Sequence, residues 1–356
     1  MTSNRFDYII VGQGLAGSAV AVQLMKLGKK ILVVDQPGKN TSSRIAAGLF
    51  NPVTGRKMVK TWLADTLFPY LHTFYREVEE RTGSSFFHPM PLYRPFISIE
   101  EQNEWMGKSA DTAYIPYIDT VHTGPAYPYV NDTFGGLLLK QCGYLDTTRY
   151  IRAVESWITH EQTMLHETLD PGKLTVTENS VAYGPYEARN IIFCHGVQAN
   201  PFFSWLPIRP LKGETIRIRT ERTDPVILNR GVYVVPAGKP GEWRVGSTYK
   251  FEDQSPEPTA EARHELEEKV QVLTNSPYEV IGQECGFRPT VPDHRPLLGN
   301  HPERKPIITF NGLGTKGVSL APYFSEILVH SLENNIPVNK LVDIERYKSL
   351  YWSSPK

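Results

Sequence analysis

Three glycines near the start of the chain have the spacing of a phosphate-binding turn. Gly12, Gly14 and Gly17 form a GxGxxG frame within the run DYIIVGQGLAGSAVA. In such a frame the first glycine makes a tight turn, the second lets the backbone approach a pyrophosphate, and the third lets the helix pack against the strand. The acidic residue Asp35 follows near the distance expected for an acceptor of a ribose hydroxyl. Together these residues predict a dinucleotide site.

The segments around the glycines have the periodicity needed to position them. The apolar run Tyr8 to Val11 predicts a buried parallel strand, and Leu15 to Leu27 has helical periodicity. The N-terminus of that helix would face the diphosphate. The alternative is a strand-helix-strand unit that binds no nucleotide. The motif by itself leaves both NAD and FAD open as the dinucleotide.

Two further segments suit an extended cofactor. Residues 41–52, TSSRIAAGLFNP, are too apolar for an ordinary surface loop and are interpreted as a buried loop along the cofactor. Near the C-terminus a strand from Ile307 to Phe310 leads into a turn with Gly312, Gly314 and Gly317, followed by a helix. In a flavoprotein this helix N-terminus would hold the flavin N1 and C2 carbonyl, where negative charge develops on reduction.

The composition is that of an ordinary globular enzyme. The chain has 356 residues, of which 40% are hydrophobic, enough for two domains with a sizeable core. Its formal net charge is zero, and the one local basic cluster, Arg56, Lys57 and Lys60, is more typical of a solvated surface. No segment approaches the ~20 apolar residues of a membrane helix. Composition therefore argues against a nucleic-acid partner without excluding one, and we expect a soluble, cytoplasmic protein.

The three cysteines give no sign of a disulfide framework or a metal site. Cys142, Cys194 and Cys285 are widely spaced and form no CxxC pair. A reducing compartment fits this pattern, and no metal is expected.

Between the motifs the chain alternates helical and strand-like segments. Helical patterns cover three segments: Trp62 to Arg81, Thr147 to His160 and Thr259 to Leu273. A hairpin around Leu174 to Tyr183 feeds a buried strand, Asn190 to Cys194, that stops at His195 and Gly196. This arrangement differs from that of a plain NAD dehydrogenase and favours FAD. Residues 86–131, rich in Pro and Tyr, are predicted to form short strands and irregular loops.

Taken in order, the motifs resemble one known family. The chain is similar over essentially its whole length to the FAD-dependent D-amino acid oxidase superfamily. Within it, the chain resembles the branch of glycine oxidase, monomeric sarcosine oxidase and the oxidase domain of the tRNA-modifying enzyme that processes carboxymethylaminomethyluridine. The motifs that carry the resemblance are DYIIVGQGLAGSAVA, SSRIAAGLFNP, GYLDTTRYIRAV, IRPLKGE, YVVPAG, RVGST, GFRPTVPDHRPLLG and GLGTKG.

The resemblance implies an α/β fold of two interleaved domains. One is a Rossmann-like FAD-binding domain, and the other is a substrate domain built on a mostly antiparallel β-sheet. The FAD-binding domain would comprise residues 1–85, 143–206 and 282–356, and the substrate domain residues 86–142 and 207–281.

The resemblance also implies which residues contact FAD. In addition to the first three glycines, these would be Leu15, Ala16, Asp35, Gln36, Ser42, Ser43, Ala47, Gly48 and Leu49. A second segment would close over the flavin: Gly312, Leu313, Gly314, Thr315, Lys316, Gly317, Val318 and Ser319. The cysteine that attaches the flavin in sarcosine oxidase aligns with Gly286, next to Cys285, so we expect noncovalent FAD. A lone histidine at a strand end, His195, is more typical of a structural group.

Three residues would hold the substrate by the same resemblance. Arg288 matches the arginine that binds the substrate carboxylate in glycine oxidase, Tyr233 matches a tyrosine that assists it, and Lys316 falls on the active-site lysine of sarcosine oxidase. A guanidinium suits this task because it can bind both oxygens of a planar carboxylate. The alternatives are that Arg288 pairs with Asp293, that Tyr233 is a sheet aromatic, and that Lys316 projects into solvent.

These observations predict an enzyme that oxidises the C–N bond of a small amine bearing a carboxylate. Hydride would pass to flavin N5, and the reduced flavin would pass electrons to oxygen or another acceptor. One alternative is removal of a carboxymethyl group from a modified tRNA wobble base, which would need a basic surface. The other is a flavin-bound interaction protein without turnover.

Overall fold

The computed structural model describes residues 4–36, 38, 40–55 and 57–353. Arg56, one member of the basic cluster, lies outside the described residues. None of the helices in the described ranges has the length and apolarity required to cross a membrane.

The described residues form strands that are numbered here in chain order. They are β1 (Arg5–Val11), β2 (Ile31–Val34), β3 (Leu49–Phe50), β4 (Val53–Thr54), β5 (Val59–Lys60), β6 (Phe87–Pro89), β7 (Leu92–Pro95), β8 (Ile118–His122), β9 (Gly136–Leu139), β10 (Gly143–Leu145), β11 (Thr163–Leu165), β12 (Leu174–Val176), β13 (Val181–Tyr183), β14 (Tyr186–Phe193), β15 (Arg209–Arg219), β16 (Ile227–Arg230), β17 (Val232–Pro236), β18 (Glu242–Gly246), β19 (Glu279–Thr290), β20 (Leu297–Asn300) and β21 (Ile307–Asn311).

The helices are numbered in the same way. They are α1 (Leu15–Lys26), α2 (Ser42–Ile45), α3 (Ala64–Thr82), α4 (Ile99–Lys108), α5 (Thr147–Glu161), α6 (Ala260–Leu273), α7 (Gly317–Asn334) and α8 (Lys348–Ser353), with 3₁₀ turns at Pro171–Lys173 and Ile344–Tyr347.

The first sheet is built around parallel strands that are buried on both faces. Its order is β11-β2-β1-β14-β13-β12, and β21 pairs in parallel with β14. Successive residues of β1 contribute to different cores: Tyr8 and Ile10 pack with helices α1, α3, α5 and α7, whereas Ile9 and Val11 pack with the aromatic cluster around Trp205. A continuous apolar strand is therefore expected here, because both faces of a parallel sheet are covered.

The second sheet is largely antiparallel, in the order β19-β15-β18-β17-β16-β7-β9-β8. Only the β16 to β7 pairing is parallel among these described strands. One face packs on α6, where Val234 and Val245 meet Leu266 and Val270. Side chains alternate along a strand, so neighbouring residues such as Tyr233 point to the opposite face. That second face forms one wall of the site described below.

The predicted helices and strands are largely present. The helix from Thr147 is capped by Asp146, whose side chain accepts the Arg149 N–H at 3.0 Å. Helix α4 is different, since it lies in the stretch predicted as short strands and loops. Its Ser98 cap accepts the Glu101 N–H at 3.3 Å, and Glu101 in return accepts the Ile97 N–H at 3.0 Å.

The division into two domains stays a prediction. Residues 282–290 belong to β19, which pairs along its length with β15 in the second sheet. The boundary at residue 282 therefore falls inside a strand of the second sheet.

Candidate functional site

A cavity of about 930 Å³ opens between the two sheets. Its wall combines the start of α1, the loop around α2, the start of α7 and strands of the second sheet. Most residues implied as FAD contacts lie on this wall: Gly14, Leu15, Ala16, Ser42, Ser43, Ala47, Gly48, Leu49, Leu313, Gly314, Thr315, Lys316, Gly317, Val318 and Ser319. Arg288 and Tyr233 line it as well. The fold thus brings together segments that are far apart in sequence.

Five of the implied contacts, Gly12, Gly17, Asp35, Gln36 and Gly312, are not among the described residues that line the cavity. Gly12 has a φ of +93°, and a Cβ added to Gly17 would lie 1.8 Å from the carbonyl oxygen of Gly12. These two glycines therefore allow the turn and the close packing of the helix. Burial raises the pKa of the Asp35 carboxyl, while the Gln13 N–H bonded to it opposes that effect.

Two helices begin at the cavity. Helix α1 starts after Gly14 and helix α7 after Lys316, and neither cap residue makes a side-chain capping bond. Instead, the Leu15 N–H donates to Ser43 Oγ at 3.1 Å, which ties the glycine turn to the loop at residues 42–49. Free N–H groups and the positive end of a helix favour a negative ligand group. The cavity thus has two places that suit the diphosphate and the flavin of an extended dinucleotide.

The loop around α2 is fixed on two sides, by helix α5 and by the second sheet. Thr148 Oγ1 donates to the Arg44 carbonyl at 3.2 Å, from the side of α5. On the other side, Arg244 of β18 donates to the carbonyls of Ile45 and Ala46 and pairs with Glu284. This loop is therefore held in a defined shape along the cavity.

Arg288 is held by neutral groups. Its Nη2 donates to Ser247 Oγ at 2.6 Å and its Nη1 to the Thr248 carbonyl at 3.3 Å, and its guanidinium lies over the Tyr249 ring at 5.0 Å from the centroid. The alternative pairing with Asp293 is absent, because Asp293 pairs with Arg346 Nε at 2.8 Å. None of the described carboxylates forms an ion pair with Arg288.

Two strand glycines create the space for the predicted substrate residues. A Cβ added to Gly213 would lie 2.1 Å from the Arg288 guanidinium, and one added to Gly246 would lie 2.5 Å from the Tyr233 hydroxyl. A glycine inside a strand often marks such a close approach. Burial raises the pKa of Tyr233, and the nearby charge of Arg288 lowers it.

Lys316 points inward rather than into solvent. Its ammonium donates to Thr54 Oγ1 and Thr61 Oγ1, each at 3.3 Å. Burial lowers its pKa from the usual lysine value. The lysine therefore brings a desolvated positive charge to the cavity wall.

His195 is enclosed near the ends of β14 and β21. Burial lowers its pKa to about 4, so the ring is neutral near pH 7. Its ring nitrogens lie 3.5 Å from the amide nitrogens of Asn200 and Asn311. This setting fits a structural group.

The cysteine beside the aligned attachment position faces away from the cavity. Gly286 lines the wall, but Cys285 is buried, and its Sγ lies 3.0 Å from the Pro256 carbonyl oxygen. Because successive side chains of β19 alternate, the thiol is turned to the other face of the sheet.

Several wall residues were missed by the sequence analysis. Ser247 and Tyr249 contact Arg288, while Arg94 and Arg230 lie on β7 and β16. The two strand glycines were the available signal for a close approach, but no sequence pattern indicated the two arginines.

The similarity of the chain to known proteins agrees with a cavity that suits an extended dinucleotide. The family described as FAD dependent oxidoreductase matches residues 7–331. The chain is 23% identical to glycine oxidase of Bacillus subtilis, covering 94% of this chain and 95% of that protein. It is also 23% identical to the bifunctional tRNA 5-methylaminomethyl-2-thiouridine biosynthesis protein of Marinobacter nauticus, covering 90% of this chain but 54% of that protein. The chain therefore spans only about half the length of the latter.

Solved structures share the fold. Glycine oxidase from Geobacillus kaustophilus superposes with a TM-score of 0.76 at 20% identity, covering 96% of this chain and 98% of that chain. Iminodiacetate oxidase from Chelativorans has a TM-score of 0.79 at 19% identity, with the same coverages of 96% and 98%. The family match extends over most of the chain and includes every segment that forms the cavity wall. The chain belongs to the FAD-dependent oxidoreductase family.

Proposed function

We propose that this protein oxidises the C–N bond of a small amino acid or N-alkyl amino acid. The observation that carries the proposal is the Arg288 guanidinium, which lines the cavity and has only a hydroxyl, a carbonyl and a ring as described partners. A guanidinium with no carboxylate partner can bind both oxygens of a substrate carboxylate.

The chain's own residues would orient the substrate. Arg288 fixes the carboxylate, and the half-buried Tyr233 adds a hydroxyl donor beside it. Lys316 adds positive charge near the start of α7. When the substrate is held this way, its C–H bond next to nitrogen has one defined direction. This lowers the entropic part of the activation barrier.

FAD, held by the glycine turn before α1 and by the start of α7, would supply the hydride acceptor. The substrate would lose its C–H electron pair as hydride, its nitrogen lone pair would form the C=N bond, and the amine proton would go to solvent. Water then hydrolyses the imine to a carbonyl compound and an amine. The amine must be neutral to react, so activity is expected to rise toward alkaline pH. The reduced cofactor would pass its electrons to oxygen or another acceptor. Because Cys285 faces away from the cavity wall, we infer that FAD is held noncovalently.

The test is anaerobic flavin bleaching against a panel of amino acids, N-methyl amino acids and modified tRNA, in the wild type and in Arg288 variants. Arg288→Ala is expected to lower kcat/KM by roughly 30-fold to 1000-fold with FAD content and melting temperature nearly unchanged, since a charge-assisted contact in a desolvated site is worth about 2 to 4 kcal/mol. Arg288→Lys should recover little, because an ammonium lacks the planar fork.

The exposed Arg219 of β15 provides a matched control, since Arg219→Ala removes the same charge from the same sheet away from the cavity wall. An Arg288→Ala protein that melts earlier but keeps its activity per folded molecule would contradict the proposal. Absence of bleaching by every compound would instead favour a flavin-bound interaction protein.

A second candidate is oxidative removal of a carboxymethyl group from a modified tRNA base. The similarity to the bifunctional tRNA-modifying protein supports it, although the chain spans only 54% of that protein. The zero net charge argues against it, because tRNA binding needs a basic surface. Bleaching by modified tRNA alone would establish this candidate in place of the first.

A further inference from the structure

A second buried arginine lines the same cavity. Arg94 of β7 is 9% exposed, and its Nε has no hydrogen-bond partner in the part of the chain that the structure describes. Among the described residues no carboxylate forms an ion pair with it. A buried guanidinium without an ion-pair partner lowers the stability of the fold. Such a group is therefore expected where a bound ligand supplies the missing partner.

The neighbouring charges leave this region positive. Arg230 of β16 also lines the cavity, but its Nη2 pairs with Glu101 at 2.9 Å and its Nη1 donates to the Pro95 carbonyl at 2.7 Å. One carboxylate therefore faces two guanidinium groups. Burial, with a contribution from the charge of Arg230, lowers the pKa of Arg94 to about 10, so Arg94 remains protonated near neutral pH.

Arg94 and Arg288 stand on distant strands of one sheet. In the order β19-β15-β18-β17-β16-β7, Arg288 lies on the first strand and Arg94 on the last. At about 4.8 Å per strand, the two strands lie about 24 Å apart along the sheet. Both side chains reach into the cavity, so they would contact opposite ends of one bound molecule.

The glycine turn that suits the cofactor diphosphate belongs to the other sheet. It follows β1 at Gly14, whereas Arg94 lies in the second sheet with Tyr233. The position of Arg94 therefore favours the substrate over the cofactor as its partner.

We propose that Arg94 binds a second anionic group of the substrate, a carboxylate or a phosphate, at the end remote from the reacting carbon. This inference rests on the proposed function and makes it more specific. The substrate class is an amine with a carboxylate next to the oxidised carbon and a second anion at the far end of the nitrogen substituent.

The test uses N-substituted glycines whose nitrogen carries an alkyl chain of increasing length. Each chain ends in a carboxylate, a phosphonate or a neutral amide. In the wild-type holoenzyme we expect the apparent Kd for flavin reduction to be roughly tenfold to a hundredfold lower for an anionic end than for the amide. Comparison of carboxylate with phosphonate identifies which anion is preferred.

Arg94→Met is expected to abolish this preference by raising the apparent Kd of the anionic compounds to that of the amide. It should also melt no earlier than the wild type, because it removes an unpaired buried charge. Arg94→Lys should restore part of the preference, and Arg219→Met serves as the control for loss of an arginine outside the cavity wall.

Other outcomes separate the two proposals. Equal affinity for anionic and neutral ends, with bleaching by both, overturns the role of Arg94 and leaves the proposed function standing. Loss of FAD from Arg94→Met assigns the arginine to the cofactor and also overturns the inference.

If no compound bleaches the flavin, calorimetry decides between the two proposals. Selective binding of the anionic compounds by the wild type alone supports the role of Arg94 without the proposed reaction. Absence of selective binding overturns both proposals. Bleaching only by modified tRNA, weakened in Arg94→Met, makes the anion a nucleic-acid phosphate and overturns the small-substrate class.

Discussion

Two cations of the cavity wall, Arg288 and Lys316, are held by neutral oxygen atoms. Arg288 contacts a serine hydroxyl and a backbone carbonyl, and Lys316 contacts two threonine hydroxyls. Away from the cavity wall, in contrast, Lys212 pairs with Asp253 and Arg346 with Asp293. A neutral acceptor orients a cation without cancelling its charge, so an arriving anion experiences nearly the whole charge in a region of low dielectric.

The buried charge of Lys316 predicts a pH-dependent stability. Its folded-state pKa lies below the unfolded value, so between these two pKa values the unfolded chain binds more protons and stability rises with pH. Below the folded-state pKa both states are protonated, and the wild type bears the full cost of burial. Lys316→Met is therefore expected to raise the melting temperature by about 2 °C near pH 7, for about 1 kcal/mol, with a smaller gain near pH 10.

The measurement is thermal unfolding across this pH range, with Lys305→Met as the control because Lys305 is exposed. A lower melting temperature for Lys316→Met at every pH would mean that the threonine contacts outweigh the cost of burial. The difference in melting temperature between Lys305→Met and the wild type should not change with pH, because the control keeps Lys316.

At the scale of elements, the close approach of β15 to Arg288 of β19 can be tested by a substitution at Gly213. Gly213→Ala would place a methyl group against the Arg288 guanidinium and displace it. We expect kcat/KM to fall roughly tenfold to a hundredfold with FAD content retained, because part of the charge-assisted contact is lost.

Gly282→Ala is a matched control on the same two strands. Its added Cβ would lie 3.1 Å from Arg217, an arginine that is not among the described residues of the cavity wall. Steady-state kinetics on both proteins separates the effects. Equal losses in the two variants would indicate general strain in the sheet rather than displacement of Arg288.

The sequence was sufficient for elements whose local pattern is strong. The glycine turn and the strand before it were predicted because apolar periodicity and turn residues agree there. Helix α4 was missed although Ser98, followed three residues later by Glu101, is a helix-start signal. This signal lies within a Pro-rich and Tyr-rich stretch. Strand β15 begins at Arg209 although Pro210 and Gly213 interrupt the strand pattern of its first half.

The ion pairs and unpaired charges of the site were harder to predict from the sequence than the helices and strands. The sequence left Asp293 as a possible partner of Arg288, and only the fold shows that Arg346 takes it. Arg94 gave no signal, since its importance depends on the strand order of the second sheet and on burial. Such contacts depend on chain segments that are remote in sequence.

At the scale of the whole molecule, the two sheets are joined through the cofactor loop. Arg244 of the second sheet donates to the carbonyls of Ile45 and Ala46 and pairs with Glu284. Arg244→Gln is expected to raise the Kd for FAD roughly tenfold. Hydrogen bonds from a charged donor stabilise the binding conformation of the loop by about 1.5 kcal/mol or more, and the variant loses them.

The assay is FAD titration of protein stripped of its flavin, which requires that the flavin be released when the protein is acid-precipitated. Arg219→Gln, which alters an exposed arginine of the same sheet, should bind FAD like the wild type. An unchanged Kd in Arg244→Gln would show that the loop keeps its shape without this contact, and coloured precipitate would contradict noncovalent binding.

The strand order of the second sheet separates reactivity from selectivity. Arg288 lies on one edge strand, while Arg94 lies on β7, five strands away, and Arg230 lies on β16, four strands away. Substitutions near residues 92–97 and 229–232 could therefore change which molecules are accepted without moving the group that aligns the reacting carbon. If Arg288 and Arg94 act as proposed, directed evolution toward new amines should begin at the paired strands β7 and β16.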